Sequence, residues 1–177
     1  MDADVLKRVE AIVSNLRSDP RSVPSEDVAL ALDVLPAYYL RTRYSVYMRC
    51  VRGAPDWLEH ESLAWELSEP ARSWLKAKRT PAERSCVLDA IARIVRDPRQ
   101  AKGRQNFVLL LGEFGGAGYG ETLGSLLGDP SVAGHAVKAL IKSRTPGYAA
   151  QVRELLSEAK TAWVKTAARK YLSLIKE

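Results

Sequence analysis

One short phrase occurs three times in this chain: IARIVRDP at residues 91–98, LGSLLGDP at 123–130 and VRELLSEA at 152–159. The first two copies are offset by 32 residues, and the second and third by 29. Each copy has apolar residues at positions i, i+3 and i+4, which lie on one side of a helix. A recurrence of this length indicates stacked helix pairs rather than one closed core.

An acid–proline pair closes the first two copies. Because the residue before a proline is pushed out of α conformation, each first helix should stop there, and the acid can cap a following helix. Apolar pairs occupy matching places in these predicted second helices, 31 residues apart: Leu109-Leu110, Leu140-Ile141 and Tyr171-Leu172. Ala136 and Ala167 share one register, and side chains this small would let neighbouring helices approach closely.

These residues resemble the HEAT-like repeat family, in its short bacterial type with an LLxD-like phrase at the bend. The resemblance covers about residues 80–176. It implies a curved stack of antiparallel helices, used mostly as a binding surface, with catalysis uncommon. We therefore expect an all-α fold, an α-solenoid of antiparallel helix pairs. A single domain is predicted over residues 1–177, with degenerate helices at 1–79 and clearer HEAT-like repeats at 80–177.

Local signals place several helix boundaries. Thr80-Pro81-Ala82-Glu83 reads as a capping box that starts a helix over 81–96. A partner helix is predicted over 99–114, then a glycine-rich turn over 115–120, and a last helix over 160–175. Prolines predict further helix ends at three places: Asp19-Pro20, before Pro36, and Glu69-Pro70.

The net charge of +6 is unevenly distributed. Residues 1–79 hold 12 basic and 12 acidic side chains, whereas residues 80–177 hold 15 and 9. A basic field raises encounter rates with acidic proteins or nucleic acid. The chain shows neither a long apolar run nor a leader pattern, so we expect no membrane span and no secretory signal. Cys50 and Cys86 each lie in an apolar helical pattern, which indicates free thiols and a cytoplasmic location.

Two sets of basic residues are candidate partner-binding sites. In a helix predicted over 37–52, a tyrosine stripe lies beside an arginine stripe, which is either a solvated face or a recognition surface. The second set surrounds the bend after residue 96. The candidate binding residues are Arg41, Arg49, Arg52, Arg96, Arg99, Lys102 and Arg104.

No arrangement typical of catalysis or metal binding is visible. The chain has two histidines, His60 and His135, and two dispersed cysteines, which form no cluster at metal-ligand spacing. The glycine-rich stretch at 112–118 follows a predicted helix rather than a strand and lacks the Gly-Lys-Ser/Thr sequence, so it differs from a phosphate loop. We expect no enzyme activity, no cofactor and no metal.

The predicted function is that of a non-catalytic protein–protein interaction module. It would act in the cytoplasm as a monomer, of adaptor or toxin-immunity type, and bind an acidic partner. The alternative is a nucleic-acid-binding HEAT-like protein, because Arg93 joins the second set and Lys138 matches Arg169 one repeat apart. Such a basic ridge could contact a phosphate backbone.

Overall fold

The computed structural model describes residues 3–42 and 58–174, with only the backbone at 58–60. These ranges are helical and contain no β-strand, which confirms the all-α class. Contacts divide the chain into two compact units, Met1–Arg104 and Gln105–Glu177, and the prediction of a single domain stays a prediction. The α-helices of the described ranges are α1 Ala3–Ser18, α2 Ser25–Thr42, α3 Leu58–Lys76, α4 Pro81–Arg96, α5 Gln105–Phe114, α6 Gly120–Ser125, α7 Ala133–Ser143, α8 Ala149–Glu158 and α9 Ala162–Leu174.

In the first unit, α2 and α4 run in the same direction and pack on each other. Arg79, just before α4, donates a hydrogen bond to the carbonyl of Arg21, just before α2, at 3.1 Å. Further along both helices, Arg93 binds Asp33. The end of α3 lies near the start of α2, since the indole N–H of Trp74 donates to the carbonyl of Val23 at 2.8 Å. The buried core includes Leu35, Trp74, Leu75 and Ile91.

In the second unit, α5, α7 and α9 are parallel. At the start of α5, the side-chain amide of Gln105 donates to the carbonyl of Ser131, just before α7, at 2.9 Å. At the other end of α5, Gly112 lies against Ala139 of α7. Helices α7 and α9 meet in the same way. Gly134 at the start of α7 lies against Trp163 at the start of α9. Near the other end of α9, the Tyr171 hydroxyl donates to the carbonyl of Thr145, just beyond the end of α7, at 2.9 Å. In both pairs, therefore, the two helices start side by side and end side by side.

The three Asp–Pro pairs share one recurring turn. The carboxylates of Asp19, Asp97 and Asp129 each accept the backbone N–H two residues on, at 3.1, 3.1 and 2.9 Å. This bond offers the backbone an alternative to the helical ladder. Helix α1 accordingly ends at Ser18 and α4 at Arg96, which confirms both predicted ends.

The predicted helix ends at Pro36 and Pro70 are wrong. Helix α2 continues through Pro36, and α3 through Pro70. An interior proline loses a hydrogen bond and costs about 3 kcal/mol, but both prolines are buried and lie on faces that pack into the core. Glu69 is exposed, and its side chain is one methylene longer than that of the aspartates that form the turn. At both prolines, packing of the helix against the core outweighs the local tendency of proline to end the helix.

The capping box is confirmed. The Thr80 hydroxyl accepts the N–H of Glu83 at 3.3 Å, and the Glu83 carboxylate accepts the N–H of Thr80 at 2.7 Å. This backbone hydrogen bond, with a second from the Thr80 hydroxyl, lowers the pKa of Glu83. Helix α4 then spans the predicted residues 81–96.

The helix predicted over 99–114 is wrong in its first half. Residues Pro98–Arg104 form a 3-10 segment, and α5 begins at Gln105. Ala101 has φ 42° and ψ −123°, a conformation that breaks the helix and is unfavourable for a residue with a side chain. The glycine cluster makes the predicted turn as a 3-10 turn over Gly116–Tyr119, with Gly116 at φ 58°.

Candidate functional site

The tyrosine and arginine stripes predicted over 37–52 fall mostly outside the described residues. Arg41 lies in the last turn of α2 and is exposed. Arg49 and Arg52 lie outside the described residues. A binding role for the three arginines stays a prediction.

In the second predicted set, two arginines face carboxylates of their own unit. Arg99 forks onto Asp97 with N–O distances of 2.8 and 2.9 Å, and this hydrogen bonding is the main cause of the lowered pKa of Asp97. Arg93 forks onto Asp33 at 2.8 Å for both bonds. Each pair neutralises charge that a phosphate backbone would otherwise meet.

Arg104 supports the fold from inside. Its side chain is buried, with the residue 2% exposed, and donates to the carbonyls of Ala101 and Val95 at 3.0 and 3.2 Å. It therefore holds the 3-10 segment, which corrects its prediction as a surface anchor. Arg96 and Lys102 are exposed, as is Arg99, and a binding role for them stays a prediction.

A groove that sequence reasoning missed lies in the second unit, between α7 and α9. Its volume is about 500 Å³, within the range of about 300–1,000 Å³ typical of ligand sites. We call it the α7/α9 groove, and it is lined by Lys138, Ile141, Lys142, Trp163, Thr166, Ala167 and Lys170. It therefore combines an apolar surface with three lysines.

Trp163 is the largest side chain of the groove and is 41% exposed. The Lys138 ammonium lies 4.5 Å from the indole centroid, a cation–π contact that covers one face of the ring. The His135 ring meets the indole edge-on, with centroids 5.1 Å apart. Gly134 allows this placement, because a Cβ at that position would lie 2.7 Å from Cζ3 of the indole.

The two helices of the groove are uniformly basic. Helices α7 and α9 together contain five lysines and arginines and no aspartate or glutamate. In the part of the chain that the structure describes, no carboxylate pairs with Lys138, Lys142 or Lys170. Charge counted helix by helix would have revealed this site in the sequence.

His135 adds no charge to the groove at neutral pH. Burial is the main cause that lowers its pKa to about 4, and the nearby positive charge of Lys138 contributes to the same shift. The positive charge therefore comes from the lysines alone.

The comparisons with known proteins give no guide to this site. No family model, curated protein or solved structure matches this chain. The HEAT-like resemblance accordingly stays a prediction.

The groove presents apolar side chains beside three lysine ammonium groups. Across residues 3–42 and 58–174, no three His, Cys, Asp or Glu side chains are grouped so as to hold a metal ion. Over the same ranges, no helix combines the length and apolar content of a membrane span. An apolar surface beside lysine ammonium groups suits a ligand with both apolar and anionic parts.

Proposed function

We propose that this protein is a non-catalytic interaction module that binds an acidic partner protein. The observation that carries the proposal is the basic character of α7 and α9, whose lysines line a groove without any carboxylate on either helix. Charge complementarity of this kind raises association rates and selects acidic partners. Among the described residues, no carboxylate pairs with Lys138, Lys142 or Lys170, so these lysines can meet acidic groups of a partner.

The proposed architecture is a HEAT-like α-solenoid. It is supported within each unit by the parallel packing of alternate helices, α2 on α4 in the first and α5, α7 and α9 in the second. Repeats of this kind bury their faces against neighbours and present one side to a ligand. A cytoplasmic location is part of the proposal, supported by the free thiol of Cys86.

A protein partner is favoured over nucleic acid by three contacts. Arg93 and Arg99, which would belong to a phosphate-binding ridge, already fork onto Asp33 and Asp97. In the groove, Lys138 covers one face of Trp163, whereas single-stranded binding uses open aromatic faces for base stacking.

Affinity capture with matched baits tests the proposal. Nuclease-treated lysate of the source cell is passed over the wild-type chain, a Lys142→Glu/Lys170→Glu variant and a Lys78→Glu/Lys160→Glu variant. The two variants change charge equally, and Lys78 and Lys160 are exposed and do not line the groove. Quantitative mass spectrometry should find an acidic protein retained by the wild type and the control variant and lost from the groove variant.

Two results would count against this proposal, the first against a protein partner and the second against the groove as the binding site. Retention that is seen only with a parallel untreated lysate, and that falls steeply with salt, would support the nucleic-acid alternative. Equal loss of the protein from both variants would show that overall charge, and not the groove, determines binding.

A further inference from the structure

We infer that the α7/α9 groove receives an amphipathic acidic helix, with an apolar stripe on the groove surface and carboxylates along both sides of that stripe. This inference rests on the proposed function and specifies the partner. Recognition of an amphipathic helix in a groove is a general binding mode in which apolar anchors supply contact area.

The apolar part of the groove sets the first requirement. Ile141, Trp163 and Ala167 come from both helices and line the same space. Because Lys138 covers one face of the indole and Gly134 lies against its six-membered ring, the exposed part of Trp163 suits an aliphatic side chain better than a stacked base. Aromatic residues of this kind often supply most of the binding energy in an interface.

The lysines set the second requirement. Lys138 and Lys142 are four residues apart on α7, so they are separated by about 6 Å along the helix axis and lie on one side. Two carboxylates one helical turn apart in a ligand would match this spacing. Lys170 comes from α9, on the other side of the groove. A ligand that satisfies all three lysines therefore needs acids on both sides of its apolar stripe.

The site is held in place before a ligand arrives. Gly134 gives the indole its space, and the neutral His135 ring packs against the indole. Fixing an aromatic anchor in advance lowers the entropy cost of binding. A groove that formed only by collapse around a ligand would not need a glycine at that position.

Three synthetic peptides of about 15 residues test the arrangement, since helices of this length are marginal alone and gain order on binding. The first carries leucines in a stripe with glutamates on both flanks. The second has the same composition, with the glutamates moved to the face opposite the leucines. The third keeps the flanking glutamates and replaces the leucines by alanine. Binding to the full chain is measured by titration calorimetry at low salt and again at physiological salt.

The flanked peptide should bind at least about tenfold more tightly than either of the others, a difference that calorimetry resolves easily. Lys142→Glu/Lys170→Glu should weaken it by about tenfold or more, Trp163→Ala should weaken it similarly, and Lys78→Glu/Lys160→Glu should leave it within about twofold. Circular dichroism confirms that each variant remains helical. Equal affinity for the first two peptides would overturn the inference. Displacement of the flanked peptide by a single-stranded oligonucleotide at a concentration lower than that of the peptide would also overturn it.

The failure of this inference is distinguishable from that of the proposed function. If wild-type chain captures an acidic protein and the groove variant captures it equally well, the function stands and the groove is not its site. If no acidic protein is captured by any bait, the proposed function itself is wrong, whatever the peptides show.

Discussion

Gly134→Ala should disturb the groove while leaving the fold intact. A Cβ at this position would lie 2.7 Å from Cζ3 of Trp163 and 2.7 Å from Cγ2 of Val164. Carbon atoms in contact are normally about 3.5–4.0 Å apart, so the indole must retreat by roughly 1 Å. The exposed side of Trp163 permits this movement without opening the core.

The substitution should change the free energy of unfolding only slightly and the affinity of the groove more clearly. The substitution gains at most about 1 kcal/mol of helix propensity. It weakens the contact between Lys138 and the indole, which is worth about 0.5–1 kcal/mol at an exposed site. The free energy of unfolding should therefore change by less than about 1 kcal/mol. Affinity for the flanked acidic peptide should nevertheless fall by about threefold or more, because the apolar anchor is displaced.

The pKa of His135 reports this movement directly. Burial against Trp163 and its surroundings is the main cause of the lowered value of about 4. Retreat of the indole exposes the imidazole, so its pKa should rise towards 6.5 in an NMR titration, with His60 as the second histidine resonance. Gly118→Ala is the matched control, since no atom lies within 4 Å of its added Cβ. A pKa that stays near 4 together with unchanged peptide affinity would refute the placement of Trp163 on Gly134.

Three other substitutions test the fold and its pH dependence. Gly112→Ala should destabilise the chain by about 1–3 kcal/mol in urea unfolding relative to Gly118→Ala, because the added Cβ would meet both the backbone and the Cβ of Ala139. Equal stability of the two variants would show that α5 and α7 are not in such close contact. His135→Leu should flatten the pH dependence of stability between about pH 6.5 and 4. In that window the unfolded wild type binds a proton that the folded protein excludes, so wild-type stability falls as the pH falls; an unchanged slope would contradict this burial. Thr80→Ala should cost about 0.5–2 kcal/mol in thermal unfolding through loss of the cap, and no loss would mean that the capping box contributes nothing.

Features that depend on neighbouring residues were predictable from the sequence. The capping box of Thr80 and Glu83 spans four positions, and the turn of Asp97 uses the N–H two residues on. Both are set by local chemistry, so reading the residues sufficed. The capping box at the start and the acid–proline pair at the end together placed α4 at its observed limits.

Features that depend on distant residues were not predictable. Pro36 and Pro70 lie within helices because their faces are buried by other helices, and local preference had indicated a stop. The 3-10 segment after α4 is fixed by Glu61, whose carboxylate accepts the N–H of Lys102 at 3.1 Å from 41 positions away. Burial of Arg104 follows from that same fold and cannot be read from its charge.

The candidate site shows the same division. Sequence reasoning identified the basic excess of the second half but not its pairing, since Arg93 and its acid Asp33 are 60 residues apart. The absence of acids from α7 and α9 is visible in the sequence once the helices are known. The exposure of Trp163 depends on packing against Gly134, which only the structure reveals.

Photo-crosslinking inside the source cell tests the central claim most directly. A photoreactive residue is placed at Thr166, which is exposed and lines the groove, or at Lys160, which is exposed and does not. The claim predicts that the Thr166 probe cross-links one protein, at a segment with acids flanking apolar residues, and that Lys142→Glu/Lys170→Glu abolishes this product. Cross-links of equal yield from both positions, or cross-links to nucleic acid from Thr166, would contradict it.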